Sequence, residues 1–214
     1  MNKTFPISEI FGPTIQGEGL HAGRRTNFIR LAGCDSKCDW CDTKYAWDMT
    51  EAALMTEDAI ISALSPIPTP LVTITGGNPL LYDLGNLCEK LLLKFNEVHI
   101  ETQGTIWADW LLRTSFISVS PKQHHLRVDV LDKIFKVCSG YSQLKVVIFN
   151  QRDLEFAKDM NRRYPHIPLI LQIGFPSEGI GWLADAAARD ESLGGNVRVM
   201  PQLHRLFWGD KKGV

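Results

Sequence analysis

Three of the five cysteines crowd into one short run, Cys34-Asp35-Ser36-Lys37-Cys38-Asp39-Trp40-Cys41. Thiolates are soft metal ligands, and a CxxxCxxC spacing lets three of them face one metal centre from a single loop. An odd cysteine count clustered in this way is not a disulfide framework. The two distant cysteines sit on apolar stripes of helical period: Leu84, Leu87, Cys88, Leu91, Leu92 and Phe95 in one, Leu131, Ile134, Phe135 and Cys138 in the other. Free cysteine is among the most buried residue types, so Cys88 and Cys138 read as core. Two metals then compete for the triplet. A structural zinc site is closed by four protein ligands, and His21 or a distant histidine would have to supply the fourth. A four-iron cluster on three cysteines keeps one iron open for a cofactor, so three ligands argue for reactivity. The paired histidines of Gln123-His124-His125 look like a further metal lure but read as a solvated loop.

These residues need elements to position them. A first extended segment at 5–11 is followed by strand-like runs at 27–31, 71–75, 98–101, 116–120, 144–149, 169–173 and 197–200. Helical patterns fill the gaps at 56–64, 84–95, 107–112, 128–137, 152–163 and 181–189, with Glu57 and Asp58 in the first turn of one and Asn150 placed to cap another. Alternating strand and helix predict an α/β fold with a largely parallel sheet. The 214 residues fall short of the ~250 typical of a complete eight-fold barrel. About six βα units plus an extra strand therefore predict a partial, open parallel βα barrel, one domain over 1–214. Ligand sites in such folds lie at the carboxyl ends of the strands. There the unusual sequences converge: the cysteine loop at 33–45, Thr75-Gly76-Gly77-Asn78-Pro79, Glu101-Thr102-Gln103-Gly104, Ser120-Pro121-Lys122 and Gln172-Ile173-Gly174. The alternative is that glycine and proline merely punctuate strand ends, as in any α/β protein.

Composition narrows the partners. The 23 Lys+Arg against 24 Asp+Glu, a net charge of −1, and a pI of about 6.6 lack the basic footprint of a nucleic-acid binder. A 44% hydrophobic, 22% charged chain is neither disordered nor collagenous. Apolar runs such as Leu91-Leu92-Leu93 are far shorter than the roughly 20 residues of a membrane span, and no signal-like region precedes Phe5. A cytoplasmic protein with a small-molecule substrate, no membrane and no nucleic acid is the expectation.

The CxxxCxxC run resembles the signature of radical S-adenosylmethionine enzymes, whose cluster reduces the bound sulfonium and releases a 5′-deoxyadenosyl radical. Trp40 before the third cysteine and the Gly76-Gly77 loop after the next strand are features of the same superfamily; the two glycines would let backbone approach the amino-acid end of the cofactor. Phe11-Gly12-Pro13-Thr14-Ile15-Gln16-Gly17-Glu18-Gly19, then Phe28-Ile29-Arg30-Leu31, is not explained by cofactor binding and needs a substrate. With Cys41-Asp42-Thr43, Leu144-Lys145-Val146-Val147-Ile148-Phe149, the strand-end loops and Met200-Pro201-Gln202-Leu203-His204-Arg205-Leu206-Phe207-Trp208-Gly209, the chain closely resembles, nearly end to end, the 7-carboxy-7-deazaguanine synthase family. The resemblance implies a lyase acting by radical ring contraction of 6-carboxy-5,6,7,8-tetrahydropterin to 7-carboxy-7-deazaguanine, with loss of ammonia, on the route to queuosine and related deazapurines.

It also implies roles for single residues. A [4Fe-4S] cluster falls to Cys34, Cys38 and Cys41, and Mg2+ to Thr43, whose hydroxyl could instead cap the cluster loop. S-adenosylmethionine falls to Trp40, Cys41, Asp42, Gly77, Thr102, Ser120, Pro121, Lys122 and Gln172. Substrate falls to Ile15, Gln16, Gly17, Glu18, Arg30, Thr75, His204 and Val214. The chemistry suits that substrate: Arg30 offers a planar fork to a carboxylate, Gln16 can donate and accept at a heterocycle edge, and Glu18 can accept from ring N–H groups. Plainer readings stand beside these: a salt-bridged Arg30, a Gln-Gly turn and a solvated Glu18. Asn78 and Gln103 depart from residues common in the wider family and leave the cofactor contacts open. An external electron donor such as flavodoxin or ferredoxin and a homodimer complete the implication. The alternatives are another small radical enzyme, such as a glycyl-radical activase, and a zinc or iron–sulfur binding module.

Overall fold

The structure, a computed structural model, describes residues 3–175 and 181–214. Its strands are β1 (Thr4–Ile15), β2 (Arg25–Leu31), β3 (Ala53–Thr56), β4 (Leu71–Gly76), β5 (Glu97–Thr102), β6 (Phe116–Val119), β7 (Ser142–Ile148), β8 (Leu169–Ile173) and β9 (Val197–Met200). Its helices are α1 (Glu57–Ala63), α2 (Gly85–Leu92), α3 (Val128–Cys138), α4 (Gln151–Arg163), α5 (Gly181–Arg189) and α6 (Leu203–Trp208). One sheet orders the strands β3-β1-β2-β4-β5-β6-β7-β8-β9. From β2 to β9 every neighbouring pair is parallel, while β1 runs antiparallel to both β2 and β3. The edges β3 and β9 do not pair, so the barrel stays open.

Period-two alternation gives the sheet two unlike faces. Ile29 and Leu31, Val72 and Ile74, Val98 and Ile100, Ile117 and Val119, and Leu144, Val146 and Ile148 are buried in one core with the apolar stripes of α2 and α3. Cys88 and Cys138 lie in that core at 0% exposure. The other face is polar yet buried: Thr73, Thr75, His99, Ser118, Gln143, Lys145 and Gln172. In-register pairing sets these side by side, Arg30 opposite Thr75, Thr73 opposite His99, and Ser118 opposite Gln143.

The turn between β1 and β2 plugs the polar side of the sheet, bonded to Gln143 of β7 and Gln172 of β8. Leu20 N–H donates to Gln143 Oε1 at 2.7 Å and Gly19 N–H to Gln172 Oε1 at 3.3 Å. Arg24 grips Glu97 with two nitrogens at 2.8 and 2.6 Å, and the His21 ring lies 4.5 Å from that of His99.

Several boundaries differ from the pattern-based expectation. β1 continues to Ile15, past the expected end at 11. The expected helix at 107–112 is a 3-10 turn, Asp109–Arg113. β3 was not expected, because its Ala-Leu-Met-Thr strip is half exposed at the sheet edge. Nor was α6, which buries no residue and so shows no apolar stripe. The Asn150 cap is present as a full capping box with Asp153. No described helix is long and apolar enough to cross a membrane.

Candidate active site

The cysteine loop leaves the carboxyl end of β2 and runs to a 3-10 turn, Lys44–Ala46. Cys34, Cys38 and Cys41 all line a cavity of about 420 Å³, and all are free thiols. Polar N–H groups surround the sulfurs. The Ser36 amide and the Gln103 side chain donate to Cys34 Sγ at 3.4 and 3.3 Å, and the Thr43 amide donates to Cys41 Sγ at 3.3 Å. The indole nitrogen of Trp47, another lining residue, is buried with no hydrogen-bond partner. Burial pushes the Cys38 and Cys41 thiols up, opposed by Lys122 at the first and by the Thr43 amide at the second.

This donor set fits an iron–sulfur cluster, whose thiolate ligands are tuned by N–H groups aimed at sulfur. A closed structural zinc site would need a fourth protein ligand beside the three thiolates. Among the described residues, the one group of three His, Cys, Asp or Glu ligand atoms within 4.8 Å is Glu18, Asp42 and His204, with no cysteine in it. The paired histidines are not a free loop. His124 Nε2 lies 2.9 Å from the Ser36 carbonyl oxygen and 3.8 Å from Cys38 Sγ, and His125 Nδ1 lies 3.2 Å from Ser36 Oγ, so both brace the cysteine loop.

Ile15 at the end of β1 and Gln16, Gly17 and Glu18 of the plug also line the cavity. Gln16 donates to Glu101 Oε1 at 3.1 Å, and Thr75 donates to Glu101 Oε2 at 2.8 Å. Glu18 is held by Lys145 and by Gln202, whose amide donates at 2.6 Å. Burial alone would raise the Glu18 pKa; Lys145 and His204 outweigh it and hold it at about 2. Burial likewise disfavours the Lys145 cation, but Glu18 and Glu101 keep its pKa above the ordinary lysine value. Arg30 Nε donates to Glu9 Oε1 at 2.6 Å, which also accepts from Tyr45 Oη at 2.6 Å. That is the only hydrogen bond of the Arg30 side chain among the described residues, and its guanidinium lies over the Phe11 ring at 5.6 Å.

The C-terminal segment closes this side. Leu203 N–H donates to the Gly17 carbonyl at 3.0 Å. A Cβ at Gly17 would stand 2.4 Å from His204 Nδ1 and 3.1 Å from its backbone nitrogen, so a side chain there would displace the His204 ring. His204 Nε2 is 3.9 Å from Asp42 Oδ2, and Val214 also lines the cavity.

The positions assigned to S-adenosylmethionine divide. Trp40, Cys41, Asp42, Gly77, Thr102, Ser120 and Lys122 line the cavity. Lys122 donates to Ser120 Oγ at 2.8 Å and stands 5.0 Å from the Trp40 ring centre; burial lowers its pKa to about 8. Pro121 faces a separate groove. Gln172 is fully buried, its oxygen taken by Gly19 and its nitrogen, at 2.9 Å, by the Met200 carbonyl. Thr43 lines the cavity, but its hydroxyl donates to Asp42 Oδ1 at 2.7 Å rather than capping the 3-10 turn. Gly77 has a second demand on it: a Cβ there would stand 1.8 Å from the Gly33 carbonyl oxygen, so the β4 loop lies directly on the cysteine loop.

Glu101, Lys145, Gln202, Gln103 and Trp47 line the cavity without having been singled out as site residues. Their signal was available for the strands. Strands of a parallel sheet buried on both faces read as continuous apolar runs, whereas Thr73-x-Thr75, Glu97-x-His99-x-Glu101 and Gln143-x-Lys145 are polar at every second position.

Comparisons with known proteins place relatives along nearly the whole chain. The model of a family described as a 4Fe-4S single cluster domain matches residues 15–135, more than half of the chain and inclusive of the cysteine loop. The chain is 40% identical to 7-carboxy-7-deazaguanine synthase of Bacillus subtilis, over 100% of both chains. It is 40% identical to the synthase of that name from Bacillus cereus, over 98% of each. It superposes on the crystal structure of QueE from Escherichia coli with a TM-score of 0.76 at 25% identity, covering 94% of this chain and 95% of that one.

Proposed function

Since the chain belongs to the 7-carboxy-7-deazaguanine synthase family, we propose that its cavity contracts the ring of 6-carboxy-5,6,7,8-tetrahydropterin to 7-carboxy-7-deazaguanine with release of ammonia. It is a lyase of the radical S-adenosylmethionine type with a 4Fe-4S cluster, in the queuosine pathway. When bound, the cluster and S-adenosylmethionine supply the one-electron chemistry that begins the reaction. What carries the reading at this site is the confluence, in one cavity, of three free cysteines and a guanidinium with open terminal nitrogens.

Cys34, Cys38 and Cys41 hold the cluster. Arg30, steadied at Nε by Glu9, turns its remaining N–H groups to the pterin carboxylate. Burial disfavours its cation, but Tyr45 and Glu9 raise its pKa, so it stays charged. Gln16, Glu18 and Thr75 meet the heterocycle edge, each already fixed by a protein partner and thus oriented before substrate arrives. His204 reaches over the substrate from the C-terminal segment. Lys122 and Ser120 take the cofactor's carboxylate side. Mg2+ binds at the Thr43 hydroxyl together with substrate oxygens and water, a donor set of the hard, oxygen-rich kind this ion prefers. An external one-electron donor of the flavodoxin or ferredoxin kind, a homodimeric state and a cytoplasmic location complete the reading.

The test is anaerobic reconstitution with iron and sulfide, then reduction with S-adenosylmethionine, with and without the carboxypterin. Both 5′-deoxyadenosine and 7-carboxy-7-deazaguanine are expected. Deoxyadenosine alone would reassign the substrate, and neither product from a cluster-loaded protein would sink the reading.

A further inference from the structure

Gln103, 8% exposed, sits just beyond β5 with its amide between two other loops. Nε2 donates to the Gly77 carbonyl at 2.8 Å and to Cys34 Sγ at 3.3 Å. A primary amide carries two N–H groups, so both bonds are made at once. The Gly77 carbonyl cannot drift: Gly77 N–H is bonded to Leu31 O at 3.1 Å and Asn78 N–H to Gly33 O at 2.8 Å. Anchored there, the amide keeps its second hydrogen on the sulfur. Next to it, fully buried Asn78 donates to Asp35 Oδ1 at 3.0 Å and accepts from Thr102 at 2.9 Å, which ties the residue after Cys34 to the same strand ends.

We propose that Gln103 is a positioning residue for the iron–sulfur cluster, whose side-chain N–H, directed at the Cys34 sulfur, favours the reduced state. Reduction adds negative charge to the cluster and its thiolates, so a fixed donor at sulfur stabilises the reduced form more than the oxidised one. Through these two bonds Gln103 also links the loops after β2, β4 and β5. The inference rests on the reading that Cys34 ligates the cluster.

Wild type, Gln103→Leu and Cys34→Ala are reconstituted anaerobically, iron and sulfide are counted, and the cluster is titrated by electron paramagnetic resonance without S-adenosylmethionine. Gln103→Leu should keep the wild-type iron content, with its reduced-to-oxidised ratio at a fixed potential lowered about three- to tenfold, the worth of one hydrogen bond. In wild type labelled with 15N at glutamine side chains, pulsed spectra of the reduced cluster should show a 15N coupling. A loaded Gln103→Leu protein with an unmoved midpoint, or wild type without the coupling, overturns the proposal. If the variant holds no cluster, the wild-type coupling alone decides. A full cluster in Cys34→Ala would instead strike down the ligand reading, a separate failure.

Discussion

Lys145 and Glu18 form a nearly buried pair, 8% and 16% exposed at their side chains. Lys145→Met leaves the carboxylate unpaired beneath the cavity and should cost about 3–5 kcal/mol in urea unfolding of the cluster-free protein; a change below about 1 kcal/mol would show that Gln202 and water suffice. His99 makes a pH prediction. Burial lowers its pKa from 6.5 to about 4 against the pull of Glu97, and burial lowers that of His21 beside it as well. Unfolded histidine takes up a proton that the folded form refuses, so stability falls as pH drops from about 6.5 towards 4 and levels off below, where both states are protonated. His99→Gln should flatten that slope in thermal unfolding; an unchanged slope would locate the titration elsewhere. At this scale the charged strand residues were the hard ones to foresee: the cysteine spacing announces itself in eight residues, but Lys145 becomes a site residue only once its strand is known to face inward.

Elements whose apolar faces are complete were legible. Leu87, Cys88 and Leu91 in α2, and Leu131, Ile134 and Phe135 in α3, repeat at helical spacing because each packs on the sheet. β3 and α6 escaped because they bury little, and the 3-10 turn at 109–113 reads as part of a helix at 107–112 although only Trp110 and Leu111 of it are buried. The loops make separable predictions. Gly77→Ala forces a methyl into the Gly33 carbonyl and should cut iron incorporation severely, with the helical circular dichroism retained. Asn150→Ala removes the α4 cap, should cost about 1 kcal/mol, and should leave iron content unchanged. Equal iron loss in both variants would mean that global stability, not the loop contact, governs assembly.

Across the whole molecule, the open sheet divides labour between its faces: one packs helices, the other surrounds the cavity. A cluster that binds only the folded protein stabilises it by mass action. Reconstitution should therefore raise the unfolding temperature and slow amide exchange most at residues 33–45, 76–78 and 103–105, where the three loops meet. Protection confined to 33–45 would show that the loops move independently. The open parallel architecture was readable from strand–helix alternation, whereas the plug was not, because its hydrogen bonds join residues over a hundred positions apart.

The bond between Gly17 and Leu203 joins positions far apart in the chain, and this fixes an order of events at the ribosome. The cysteine loop and its supporting glycines have left the exit tunnel long before residue 203 is translated. The cysteine side of the chamber is therefore complete in sequence while the other side still stands open. The wall that Gly17 and His204 share, by contrast, cannot form until residue 204 has been synthesised. The two sides of one cavity are thereby completed at different times during synthesis.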